Sequence, residues 1–112
     1  SKIDDKKIII ATEKETLFLN ISNIVRCKAE GNYTTVFLAK GDTILASKTL
    51  KYFDELLNSY TFFRTHQSHL INTKFIGKYV KGKNAYVLMS DKSEVPIARR
   101  RKNDFLGRLN NL

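Results

Sequence analysis

Three short segments carry side chains whose types and spacing could do chemistry, and the chemistry they suggest is recognition of a polyanion. Glu30-Gly31-Asn32-Tyr33-Thr34-Thr35 sets an amide, a phenol and two hydroxyls behind a glycine turn. Amides bond adenine edges, and amides and hydroxyls both reach phosphates. The competing reading is an ordinary hairpin turn in which Asn32 serves for its tolerance of left-handed backbone. Phe62-Phe63-Arg64-Thr65-His66-Gln67-Ser68-His69-Leu70-Ile71-Asn72 encloses a polar and cationic run between apolar anchors. So polar a run is a poor recipe for a core element, which makes Gln67 a candidate reader of a base edge and Arg64, His66 and Ser68 candidates for phosphate. His66 or Asn72 could instead satisfy backbone groups of their own loop. Ile97-Ala98-Arg99-Arg100-Arg101-Lys102 ends in four consecutive cations, which repel one another unless an anion answers them. Arg99, nearest the preceding strand, is expected to point into a groove and Arg100 to Lys102 to serve phosphates or solvent.

Covalent chemistry finds less support. There is no Gly-rich phosphate loop, no His-Glu-X-X-His and no Gly-X-Ser-X-Gly. His66 and His69 are three apart, which in one strand means opposite faces, and no Asp or Glu lies between Glu55 and Asp91 to complete a metal site. Cys27 is the only cysteine, too few for a disulfide or a structural zinc, and is read as core filler beside Ile24 and Ala29. The expectation is therefore no enzyme, no metal and no cofactor.

The charge distribution points the same way. Twenty Lys and Arg against eleven Asp and Glu give +9 over 112 residues. Residues 1–60 hold nine basic and eight acidic side chains, and residues 61–112 hold eleven and three, so the excess sits in the second half. A one-sided basic field suits a phosphate backbone, because each neutralised phosphate releases a counterion.

These segments must be held by a scaffold. The length suits one domain over residues 1–112, and the charged opening of residues 1–6 reads as a linker from a missing N-terminal domain. The longest apolar run, Ile8-Ile9-Ile10-Ala11, is far short of a membrane span, and no signal-peptide core opens the chain, so a cytoplasmic location with no membrane partner is expected. Eight β-forming runs are separated by turn residues: 7–12, 16–19, 24–29, 33–39, 43–47, 75–81, 85–89 and 94–97. Leu50, Phe53, Leu56 and Leu57 recur at helical spacing after Thr49, a candidate N-cap, with Asn58-Ser59 as a stop. Phe105, Leu106, Leu109 and Leu112 repeat the pattern behind the cap candidates Asn103 and Asp104, as a tail docked on the sheet.

In order along the chain, residues 24–34, 47–50, 63–72 and 95–100 together resemble the LytTR DNA-binding domain, the effector module of bacterial response regulators of the LytR and AlgR type. The resemblance covers about Ile8 to Leu109. It implies a mainly β, elongated fold of about ten short antiparallel strands in three small sheets, with one or two short helices. It also implies loops inserted into successive major grooves of double-stranded DNA, with the duplex bent. By position it assigns base reading to Asn32 or Tyr33, Gln67 and Arg99, and backbone contacts to Arg64, His66, Ser68, Asn72, Arg100 and Lys102. Two departures stand out: Gln67 replaces a basic residue, which favours adenine over guanine, and Ala98 replaces a serine before the Arg pair. The family further implies a parent dimerised through a phosphorylated receiver domain on direct repeats, and an isolated domain that is monomeric. The alternative is an RNA or single-strand binder, with Tyr33, Phe37 and Tyr86 as a stacking platform.

Overall fold

The alternation of Ile8 and Ile10, buried, with Ile9, exposed, sets the first strand, and the same logic runs through a mainly β chain. A computed structural model describes residues 6–110. Strands β1 (Lys7–Ala11) and β2 (Thr16–Asn20) form an antiparallel ribbon with Ile9 opposite Phe18. Strands β3 (Ile24–Glu30), β4 (Tyr33–Leu38), β5 (Thr43–Ala46), β6 (Phe62–His66) and β7 (His69–Asn72) make a five-stranded sheet in the order β5-β4-β3-β7-β6. Strands β8 (Ile76–Val80), β9 (Tyr86–Met89) and β10 (Glu94–Pro96) make a third, in the order β10-β9-β8. Helix α1 (Leu50–Leu57) follows β5 and helix α2 (Lys102–Leu109) ends the described chain. Every pairing is antiparallel, and the unit measures 42 × 34 × 24 Å. Ten strands in three small sheets are what the family resemblance implies.

The five-stranded sheet is covered on both faces. Cys27, Val36 and Leu70 meet Ile8, Ile10 and the α1 stripe Leu50, Phe53 and Leu57 on one side. Val25 and Ile71 meet Val87, Met89, Val95, Ile97 and Phe105 on the other. Sequence neighbours such as Leu70 and Ile71 therefore enter different cores, which is why β7 shows an apolar pair where strict alternation would place one. Each of these large side chains contributes roughly 1.5–3 kcal/mol through burial. The expected helix cap is present: Thr49 Oγ1 accepts from the Tyr52 amide at 3.3 Å.

The structure corrects two expectations. Residues 62–72, read as too polar for a core element, form the β6–β7 hairpin, with β7 inside the sheet and Thr65, Leu70, Ile71 and Asn72 all buried. Asn72 occupies a buried position as a hydrogen-bonding group, which hides the alternation. The α2 cap expected at Asn103 or Asp104 lies inside the helix, because a 3-10 turn at Arg99–Arg101 feeds the chain in earlier and Arg101 takes the cap position without a side-chain bond. Lys6, assigned to the linker, has its carbonyl bonded by the Ile21 amide at 2.9 Å. Residues 1–5 of that linker, and Leu112 of the tail stripe, lie outside the described residues.

Register places the loops. β7 pairs antiparallel with β3, Lys28 opposite His69, so the start of β7 lies beside the end of β3. The β3–β4 turn (Gly31, Asn32) and the β6–β7 turn (Gln67, Ser68) therefore leave the same end of the sheet. The third segment is tied there as well, through the Ala98 amide to the Thr65 carbonyl at 2.7 Å.

Candidate nucleic-acid interface

The first turn is a two-residue hairpin loop with Glu30 opposite Tyr33. Gly31 takes φ 63° and Asn32 a negative φ, the pattern of a type II′ turn that needs glycine in its first central position. The tolerance argued for Asn32 is thus supplied by Gly31, and the Asn32 side chain is exposed. Tyr33 is half-buried, and its hydroxyl donates to Glu13 Oε1 at 2.9 Å. That hydrogen bond, reinforced by the carboxylate's charge, raises the Tyr33 pKa. Of the two hydroxyls, Thr34 is fully buried and donates to the Lys48 carbonyl at 2.7 Å, whereas Thr35 is half-buried.

In the second turn side chains do the shaping. His66 Nδ1 accepts from the Ser68 amide at 3.0 Å. Arg64 Nη2 donates to the Gln67 carbonyl at 2.6 Å while Nη1 lies 3.7 Å from Asp54 Oδ2 on α1. The Ala29 amide donates to the Ser68 carbonyl at 2.9 Å. Gln67 is exposed and Ser68 is half-buried. Arg64, expected on phosphate, has both terminal nitrogens in contacts within the protein.

Asn72 is corrected outright. It is 1% exposed; its Nδ2 donates to the Ile24 carbonyl at 2.9 Å, and its Oδ1 accepts from Thr61 Oγ1 at 2.6 Å and from the Lys74 amide at 3.1 Å. It anchors the hairpin and cannot touch a backbone phosphate. The two histidines, expected on opposite faces, sit across the turn from each other as the pair His66 and His69, with ring centroids 5.5 Å apart. Burial, followed by the charges of His66, Arg26 and Lys28, pushes His69 down to about 4. The imidazole is neutral at pH 7. Among the described residues no three potential metal ligands come together.

In the third segment Arg99 and Arg100 are exposed and Lys102 is half-buried, its Nζ donating to the Gly82 carbonyl at 3.3 Å. Arg101, expected on phosphate or solvent, turns inward and donates from Nη1 to the Arg64 carbonyl at 3.3 Å. Arg108 of α2 donates to the Phe62 carbonyl at 3.2 Å, which pins the helix behind β6. Beside Arg99 lies the β8–β9 turn with Lys83 and Asn84, which the sequence marks only as a turn. One cleft of about 320 Å³ brings His66, Lys83, Asn84, Tyr86 and Arg99 together. The local signal for Lys83 was a cation at a glycine turn inside the basic half of the chain.

Cys27 is fully buried and its thiol is pushed up to about 12 by burial, so it is a core group. No helix among the described residues is long and apolar enough to cross a membrane.

The family profile described as the LytTr DNA-binding domain matches residues 14–110. The chain belongs to the LytTR family of DNA-binding domains. The LytTR domain superposes on the solved LytTr DNA-binding domain of a Bacillus cereus protein described as a methyl-accepting/DNA response regulator, with a TM-score of 0.79 at 20% identity. That match covers 94% of this chain and 97% of the other. Among curated proteins, the heme-containing CO-sensing transcriptional regulators RcoM 1 and RcoM 2 of Paraburkholderia xenovorans (strain LB400) are 29% and 28% identical over 98 residues. Each match covers 85% of this chain and 36% of the relative, so the LytTR domain spans about a third of the curated relatives' length.

Proposed function

We propose that this LytTR domain reads a specific sequence in double-stranded DNA and serves as the effector of a cytoplasmic bacterial transcription regulator of the two-component type. The observation that carries the reading is the convergence of Asn32, Gln67 and Arg99, all exposed, on loops gathered at one end of the five-stranded sheet. Asn32 and Gln67 carry amides suited to adenine edges, and the Arg99 guanidinium suits guanine. His66, Ser68, Arg100 and Lys102 supply backbone contacts, whose affinity falls with salt. Bending the duplex lets the loops engage together. The domain alone is a monomer with modest affinity for each half of a direct repeat, and its parent dimerises through an N-terminal receiver.

A single-strand reading loses its platform. The face of Phe37 is covered by the Arg26 guanidinium at 3.7 Å, the Tyr33 hydroxyl is held by Glu13, and Tyr86 lies on another sheet.

Selection from random duplexes at two salt concentrations, with single strands as competitors, tests the reading. Enrichment of a short duplex element with a steep salt slope is expected. Arg99→Ala should then cost about 1–3 kcal/mol and relax the preference at one base pair. Binding without enrichment, or preference for single strands, removes the sequence-specific assignment.

A further inference from the structure

The cleft between the β8–β9 turn and the third segment has a volume of about 350 Å³ and is lined by Gly82, Lys83, Ala85, Ile97, Arg99 and Lys102. Three cations face one small space, and no carboxylate lines it. Among the described residues none of the three has an ion-pair partner. Concentrating like charges raises the local positive potential and is unfavourable until an anion enters. The walls also fix what kind of anion fits. Ala85 and Ile97 are buried apolar groups at its back, suited to the edge of a sugar, and Lys102 is already positioned by its bond to the Gly82 carbonyl. The neighbouring cleft shares Lys83, Ala85, Ile97 and Arg99 and continues to His66, so the basic tract runs from the β8–β9 turn to the second reading turn.

We propose that this cleft is a phosphate site that seats one backbone phosphate of the DNA next to the base pair read by Arg99, with Lys83 and Lys102 as its cationic walls. The assignment rests on the DNA-binding reading above. It adds Lys83, a residue on a different sheet from both reading hairpins, and makes the β8–β9 turn a second support for the third segment on the duplex.

The test uses the whole chain, with Lys83→Ala and Lys102→Ala as variants. Lys83 is exposed in a turn, so its truncation leaves both cores intact. Each variant should lower the salt slope of duplex binding by about 1, as loss of one phosphate contact does. Affinity should fall severalfold and by the same factor on the selected element and on unrelated duplexes, with base preference unchanged. A parent that binds duplex with a steep slope, matched by both variants, overturns the cleft assignment and leaves the DNA reading standing. A parent without salt-sensitive duplex affinity overturns the reading and the assignment together. Inorganic phosphate titrated against isotope-labelled protein separates the two sources of the anion. Amide shifts at Lys83, Arg99 and Lys102 that duplex abolishes support the backbone phosphate; shifts that duplex leaves in place identify a free anion and overturn the DNA assignment.

Discussion

The β3–β4 and β6–β7 turns leave the same end of one sheet with two residues each, yet they are held by different means. Gly31 shapes the first through its backbone, at a positive φ that other residues rarely adopt, and leaves Asn32 free. The second contains no glycine and no positive φ. A register shift between Arg64 and His66, together with the Arg64 and His66 side-chain bonds, gives it its shape. A polar residue near a reading loop is thus not always a reader: in the second turn the Arg64 guanidinium holds the Gln67 backbone, while Gln67 itself stays exposed.

If side chains hold the second turn, the largest effect should come from its anchor. Asn72→Ala strands the buried Ile24 carbonyl and should destabilise the fold by about 3 kcal/mol in urea unfolding. A variant as stable as the parent would mean the hairpin does not depend on this residue. Arg64→Ala comes next, removing a charge-assisted bond worth about 2 kcal/mol. It should weaken discrimination among duplexes while the salt slope stays unchanged, since the arginine positions Gln67; a slope reduced by about 1 would return Arg64 to a phosphate role. Gly31→Ala probes the other turn, where a side chain at φ 63° should cost about 1 kcal/mol of stability, with the second turn's reading of its base untouched. The smallest effect concerns pH. His69 titrates near 4 in the fold against an ordinary 6.5, so its neutral form supports stability above about pH 6.5, and that support is lost progressively as pH falls from 6.5 toward 4. The urea midpoint should decline over that window, and His69→Gln should flatten the decline.

Much of this was legible along the chain. Thr49 before Leu50 and Phe53 announced α1, and alternation at Ile8 and Ile10 announced β1, because both signals are local. The family-bearing motifs carried Gln67 and Arg99 onto exposed positions. The β6–β7 hairpin was hidden because Thr65 and Asn72 fill buried positions with polar groups, and hydropathy cannot distinguish a buried amide with partners from one facing water.

By itself the sequence determined the class: a basic, mainly β domain of the LytTR family, with its charge excess in the second half. Local pattern and net charge are properties of residue types, so they survive without coordinates. The tertiary structure decided how the polar and basic residues divide their labour. Arg101 and Asn72 turn inward because backbone carbonyls from distant segments meet them there, Arg64 is held between the Gln67 carbonyl of its own turn and Asp54 of α1, and Lys83 joins Arg99 across a cleft. Such partnerships depend on which strands lie side by side, and only the packed sheets bring them together.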